Sequence, residues 1–369
     1  MSRRKKNSQV FAVTFLLVSI FLSSSPALLS QEQQSPSPPA QRMRRVKGQQ
    51  PRTPTTPSAA TQAQSSSSTD DDVVRVDTDL ATILLTAIDK ERRFITTLKK
   101  EDVRVTEDNT PQEISVFERE TDLPLTLAIL IDTSRSEERV LPDEKIAAHA
   151  FVDSVLRAGR DQVSIVTFTG EATLEQPLTG DLQKLRAAIE RVTIGVPPEN
   201  PDCEGNVSIE REPRCYTGVW DAVWVTINEV LAQTPEHTRR AIILLTDGTD
   251  TSSTTKRQEA IDFAVKNNVV IYSIGIGDPE EYEIADDALR KVSEKTGGRV
   301  FFPENKPALD SAFTQIQQEL RSQYFIAYQP SNRARDGSLR QVRIEIINPE
   351  LRKQKLRLLY RQGYYAKKG

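Results

Sequence analysis

Histidine and cysteine are scarce in this sequence. Its 369 residues hold two of each, which removes most imidazole and thiolate chemistry before any motif is read. His149 lies among helix formers and His237 in a Pro/Thr loop, each without a second imidazole or a thiol nearby, so neither fits a zinc site or a general base. Cys203 and Cys215 share one polar loop, PDCEGNVSIEREPRCYTG. With no further thiol or imidazole beside them, they are expected to close that loop as a disulfide in an oxidising compartment.

A strong charge of one sign is also missing. The net charge of -3 gives no basic surface of the kind that holds nucleic acid by its phosphates. No G-x-G-x-x-G, no phosphate-cradling G-x-x-x-x-G-K-S/T and no G-x-S-x-G occurs, so the usual marks of nucleotide-binding and hydrolytic enzymes are lacking. Ser134 has no histidine to form a triad with. The expectation is a protein that is not an enzyme, with metal-assisted hydrolysis as the remaining catalytic alternative.

The hydrophobic fraction of 37% is low for one globular domain, and the deficit is concentrated near the N-terminus. Residues 1–30 combine a basic start, MSRRKKNSQ, an apolar run, VFAVTFLLVSIFL, and small residues in SSSPALLSQ. That is the pattern of a signal peptide, with an uncleaved anchor as the alternative. Export follows, to the periplasm, the cell surface or the medium, and a membrane contact only through this segment. Residues 31–72 are rich in Gln, Ser, Pro and Thr with no periodicity, which predicts a disordered spacer.

Residues 73–121 carry strand signals, with VVRVDTDLATILLTAIDK followed by a hairpin pattern in EDVRVTEDNTPQEISVFERE. Residues 324–369 carry three more, SQYFIAYQP, RQVRIEIINP and KLRLLYRQGYYA, separated by turn-like SNRARDGS and PELRK. Forty-nine residues make a thin core, so the two flanks are expected to pack as one small β domain, with two separate β pieces as the alternative. Between them, residues 122–323 alternate apolar strands (LPLTLAILI, DQVSIVTFT, RAIILLT, NVVIYSIGIG, GRVFFP) with six helical patterns. This predicts an α/β fold, a doubly wound and mostly parallel sheet with helices on both faces.

In such sheets ligands sit at the carboxyl ends of the strands. After the first strand stand Asp132, Ser134 and Ser136. After RAIILLT comes Asp247, followed by Gly248, Thr249 and Asp250, and Thr217 opens the third strong helix. These are oxygen donors only, a hard ligand set that favours Mg²⁺, Mn²⁺ or Ca²⁺. Asp and Ser after a strand also serve as helix caps, the simpler role of DTSRS taken alone. Asp221, Asp250 and Glu171 lie close by in sequence and are expected to be solvated or to stand behind the ligands.

D-x-S-x-S at the end of a strand, a Thr opening a helix about eighty residues on, and the Asp of LLTDGTD together resemble the von Willebrand factor A domain with its metal-ion-dependent adhesion site. The match runs from about Leu123 to Gln323. The flanks resemble those of an exported acidobacterial subgroup of that family. The resemblance implies that Ser134 and Ser136 bind the ion directly and Thr217 directly or through water. Asp132 and Asp247 would act mostly through water. It further implies a protein partner that completes the site with an Asp or Glu carboxylate, and an adhesion or protein-binding role. A structural envelope protein with a vestigial metal site is the alternative. Cys215 and Tyr216 stand before Thr217 where the family usually has Gly, so Arg135, Tyr216 and Thr249 are expected at the rim that meets the partner.

Overall fold

The computed structural model describes residues 40–43, 80–119, 123–195, 217–235, 238–276 and 284–369. The signal-like segment, most of the expected spacer, His237, and the loop with Cys203, Cys215 and Tyr216 lie outside these residues. In chain order the elements begin with β1 (Gln41–Met43), β2 (Ala81–Ile88), β3 (Val103–Glu107), β4 (Thr110–Gln112) and β5 (Ile114–Arg119). The middle follows with β6 (Leu125–Asp132), α1 (Leu141–Val155), β7 (Gln162–Phe168), β8 (Ala172–Thr179), α2 (Leu182–Arg191) and α3 (Val219–Thr226). It continues with β9 (Arg239–Thr246), α4 (Arg257–Lys266), β10 (Val269–Gly275), α5 (Asp286–Thr296), β11 (Val300–Phe301) and α6 (Lys306–Leu320). The end of the chain adds β12 (Tyr324–Tyr328), β13 (Leu339–Ile346), α7 (Pro349–Lys353), β14 (Arg357–Leu359) and β15 (Gly363–Tyr365). Among the described residues no helix is long and apolar enough to cross a membrane.

One sheet has the order β1-β8-β7-β6-β9-β10-β11. The run from β7 through β6, β9 and β10 to β11 is parallel. Its central strand β6 is apolar from Leu127 to Ile131, ahead of its last residue, because both faces are covered. Ala128 and Leu130 pack with α3, α4 and α5 on one face, while Leu127, Ile129 and Ile131 pack with α1, α2 and α6 on the other. This matches the doubly wound α/β sheet expected from the alternation. Caps set the helix starts: the Asp181 carboxylate accepts from Gln183 N–H at 2.9 Å at α2, and Asn305 accepts from Ala308 N–H at 3.0 Å at α6.

Some local features differ from the expectations. β8 carries no legible strand pattern in the sequence. Its Ala172 and Leu174 point into the core, and it pairs antiparallel with β7 through an irregular register, while Pro177 masks the strand signal. Inside the expected spacer, Gln41–Met43 pairs antiparallel with β8, with the Met43 side chain buried against the core. PELRK, expected as a turn, forms the short helix α7 because Asn348 caps Glu350 N–H.

The flanks form two four-stranded sheets, β14-β2-β12-β5 and β15-β13-β3-β4. Each mixes strands from before and after the α/β region, as β12 lies between β2 and β5 and β13 pairs with β3. The expected hairpin is shorter than its sequence pattern. It turns at Asp108 and Asn109, both at positive φ (46° and 68°), a conformation that short polar side chains tolerate. β4 then ends and β5 leaves to pair with β12. Tyr324 fastens β12 in place, its hydroxyl accepting from Leu98 N–H at 2.9 Å and donating to Ile95 O at 3.0 Å.

Candidate metal-binding site

The site is built where β6 and β9 end side by side. Asp132, the last residue of β6, is fully buried. Its Oδ1 accepts from Ser134 N–H at 2.9 Å and its Oδ2 from the Thr246 hydroxyl at 2.6 Å. The first bond turns the chain sharply, so that Ser134 and Ser136 face one another with hydroxyl oxygens 3.0 Å apart. A 3₁₀ turn over Arg135–Glu137 then leads toward α1.

Asp247 follows β9. Its Oδ1 accepts from Thr249 N–H at 2.7 Å, and its carboxylate is also hydrogen-bonded by Ser136. Gly248 makes this turn possible. Its φ is 80°, and a Cβ there would stand 2.8 Å from Leu289 Cγ. The structure therefore brings Asp132, Ser134, Ser136 and Asp247 into one hydrogen-bonded group.

Thr217 lies at the same edge of the sheet, tied to the loop after β9. Its N–H donates to Thr251 Oγ1 at 2.8 Å and its carbonyl accepts from Thr251 N–H at 2.9 Å. Gly218 N–H reaches back to Thr169 O, after β7. Arg135 and Thr249 are exposed. Asp250 and Asp221 are occupied as caps: Asp250 accepts from Val219 N–H at the start of α3, and Asp221 from Thr254 and Thr255 N–H before α4. His149 pairs with Glu190 through Nε2 at 2.7 Å, between α1 and α2.

Two residues here escaped the sequence reading, Glu137 and Glu144, both fully buried. Glu137 Oε1 accepts from Asp247 N–H at 3.0 Å. Glu137 Oε2 and both Glu144 oxygens have no hydrogen-bond partner. Burial pushes both carboxyls well above the usual range, and the charges of Glu144, Asp132 and Asp247 push Glu137 further. Burial likewise lifts Asp132 to about 7, against the hydrogen bonds from Thr246 and Ser134, and raises Asp247. Among the described residues, Asp132, Glu137 and Asp247 are the one group of three acidic, histidine or cysteine side chains whose ligand atoms lie within 4.8 Å of one another. Buried carboxylates, facing hydroxyls and unpartnered oxygens fit a divalent, oxygen-preferring cation. The helical phase of SEERVLPDE carries the missed signal, since Glu144 falls on the α1 face that packs inward.

Two sequence models described as the von Willebrand factor type A domain match the chain, over residues 127–249 and 209–315. The chain carries a von Willebrand factor type A domain. Solved structures similar to it include BatB from Bacteroides thetaiotaomicron, at 19% identity over 54% of this chain and 100% of that one, with a TM-score of 0.41. A von Willebrand factor type A protein from Catenulispora acidiphila is 15% identical over 78% of this chain and 73% of that one, with a TM-score of 0.44. Proximal thread matrix protein 1 from the mussel byssus, with a zinc-occupied MIDAS motif, is 17% identical over 57% of this chain and 48% of its own, with a TM-score of 0.43. No curated protein matches the chain. Within the A domain, the two halves of the D-x-S-x-S and TDG pattern meet at the adjacent ends of β6 and β9.

Proposed function

We propose that this A domain is a protein-interaction module that takes an acidic side chain of a partner through a divalent cation, in the manner of a metal-ion-dependent adhesion site. One observation carries the reading. The Ser134 and Ser136 hydroxyls, 3.0 Å apart, share a hydrogen-bonded group with the Asp132 and Asp247 carboxylates at the carboxyl edge of the sheet. Ser134, Ser136 and Thr217 offer neutral oxygens to the ion, and Asp132 and Asp247 supply charge and orient the hydroxyls. A Mg²⁺, Mn²⁺ or Ca²⁺ ion there would supply an electrophilic centre for a partner's Asp or Glu oxygen. Exposed Arg135 adds a positive charge at the rim, which steers an acidic partner.

The basic start and apolar run of residues 1–30 support an exported protein, in the periplasm, on the cell surface or secreted, and the flanks support a bacterial, acidobacterial-like source. The role is binding, without catalysis. The test is capture from an envelope extract with the immobilised chain in Mg²⁺, in chelator, and as Asp132→Ala. Partners retained only by the wild type in Mg²⁺ support the proposal. Partners retained equally in all three contradict it. Hydrolysis of generic phosphate or ester substrates that is lost in Asp132→Ala would replace it with an enzyme.

A further inference from the structure

The five motif residues leave one carboxylate of the site without a role. Glu137 sits in the turn directly after Ser136, fully buried, with Oε1 held by Asp247 N–H and Oε2 unpartnered. One of its oxygens falls within 4.8 Å of one oxygen each of Asp132 and Asp247. Glu144, in the first turn of α1, is fully buried with neither oxygen hydrogen-bonded, and its charge acts on Glu137.

Other buried carboxylates of this chain are answered by nearby donors. Asp161 takes the Arg157 guanidinium at 2.8 Å and Leu125 N–H at 2.9 Å. Glu319 takes the Tyr272 hydroxyl at 3.1 Å and faces Arg299 at 3.4 Å. Glu107 takes the hydroxyls of Tyr328 and Tyr364 on Oε2 at 2.9 and 2.7 Å, although its Oε1 is unpartnered. Glu144 has no such donor, and Glu137 has only one peptide N–H. Buried carboxyl oxygens left without a donor in this way are unfavourable unless a cation or another polar partner lies against them.

We propose that Glu137 is a direct ligand of the cation, reaching it from the protein side of the site, and that Glu144, behind Glu137, adds to the negative field that attracts the cation. The inference rests on the adhesion-site reading and deepens it. With Asp132 and Asp247, Glu137 gives the ion three carboxylates from the chain itself. The cation is then held without help from a partner, so the domain meets its partner already loaded. Glu137 approaches from the buried side, which leaves the outer position open to the partner beside Ser134 and Ser136.

The test is isothermal titration of Mn²⁺ and of Ca²⁺ into the chelator-treated full chain, as wild type, Asp132→Asn, Glu137→Gln, Glu137→Asp and Glu144→Gln. The wild type is expected to take one ion. Glu137→Gln is expected to weaken it at least tenfold, and Glu144→Gln by a smaller factor. Glu137→Asp, which keeps the charge on a shorter arm, is expected to fall between wild type and Glu137→Gln. In thermal unfolding, Glu137→Gln is expected to raise the midpoint of the metal-free chain and shrink the rise caused by metal. Wild-type affinity in Glu137→Gln, with binding lost in Asp132→Asn, overturns this inference and leaves the adhesion-site reading standing. If Glu137→Gln does not fold, wild-type affinity in both Glu137→Asp and Glu144→Gln overturns it equally. No ion bound by the wild type removes both.

Discussion

The hydroxyl of Thr246 donates to Asp132 Oδ2 at 2.6 Å, joining the last residues of the neighbouring strands β9 and β6. The same hydroxyl oxygen accepts from Gly248 N–H at 3.0 Å. One threonine thus fixes both the carboxylate that orients Ser134 and the turn that presents Asp247. Thr246→Val keeps the shape and removes both bonds. It is expected to weaken divalent-cation binding by about 10- to 100-fold and to cost about 1–3 kcal/mol of stability. Calorimetric titration and urea unfolding of the variant check the two effects separately.

Gly248 holds a left-handed φ of 80° with Leu289 directly against it. Gly248→Ala meets both a strained backbone and a side-chain clash, so a loss of about 1–3 kcal/mol is expected. Because the strain falls on the residue after Asp247, metal affinity should fall with stability. Pairing Gly248→Ala with Leu289→Ala relieves the clash but not the backbone strain. The double variant should therefore regain metal affinity only in part, as titration of both proteins would show.

Much of this organisation was legible in the sequence. RAIILLT carries an unbroken apolar stretch over residues 241–245 because both faces of β9 are buried, and polar residues follow at once with Thr246 and Asp247. That switch marks the site's edge of the sheet. β8 was illegible because Pro177 and an irregular register hide its alternation, and β1 because three residues in a polar stretch hold a single apolar anchor, Met43. Glu137 and Glu144 escaped for a different reason. Glu144 opens α1 on its inward face, where helical phase could have found it, whereas Glu137 lies in a short 3₁₀ turn with no periodicity to place it. The contribution of Tyr328 to the flanking sheets was equally hidden, since its partner Glu107 is 221 positions away.

On the buried face of α6, burial raises the Glu319 carboxyl from 4.5 to about 7, against the opposing charge of Arg299 and the Tyr272 hydrogen bond. A folded-state value above the unfolded one means that this group's contribution to stability is complete below pH 4.5. It is lost as pH rises through 7. Glu319→Gln removes the titration. The stability of the wild type relative to Glu319→Gln should therefore fall between pH 4.5 and 7, by up to about 3 kcal/mol at roughly 1.4 kcal/mol per unit. Chemical denaturation of both proteins across that range measures it, and parallel curves would contradict it.

In the flanking sheets, Tyr328 on β12 and Tyr364 on β15 donate to one oxygen of buried Glu107, at 2.9 and 2.7 Å. Tyr328→Phe leaves Tyr364 in place and is expected to cost about 1–2 kcal/mol. Removing both hydroxyls leaves Glu107 without either donor, so the double variant should lose more than the sum of the singles. A double-mutant cycle by urea unfolding reads the coupling directly.

Whether the loops after β6 and β9 hold one cation is decided by titrating Mg²⁺ into the chelator-treated full chain and into Asp132→Ala and Asp247→Ala. Saturable binding of one ion per chain is expected in the wild type and none in either variant. Saturable binding that persists unchanged in both variants, or no binding by the wild type, would contradict a single cation site there.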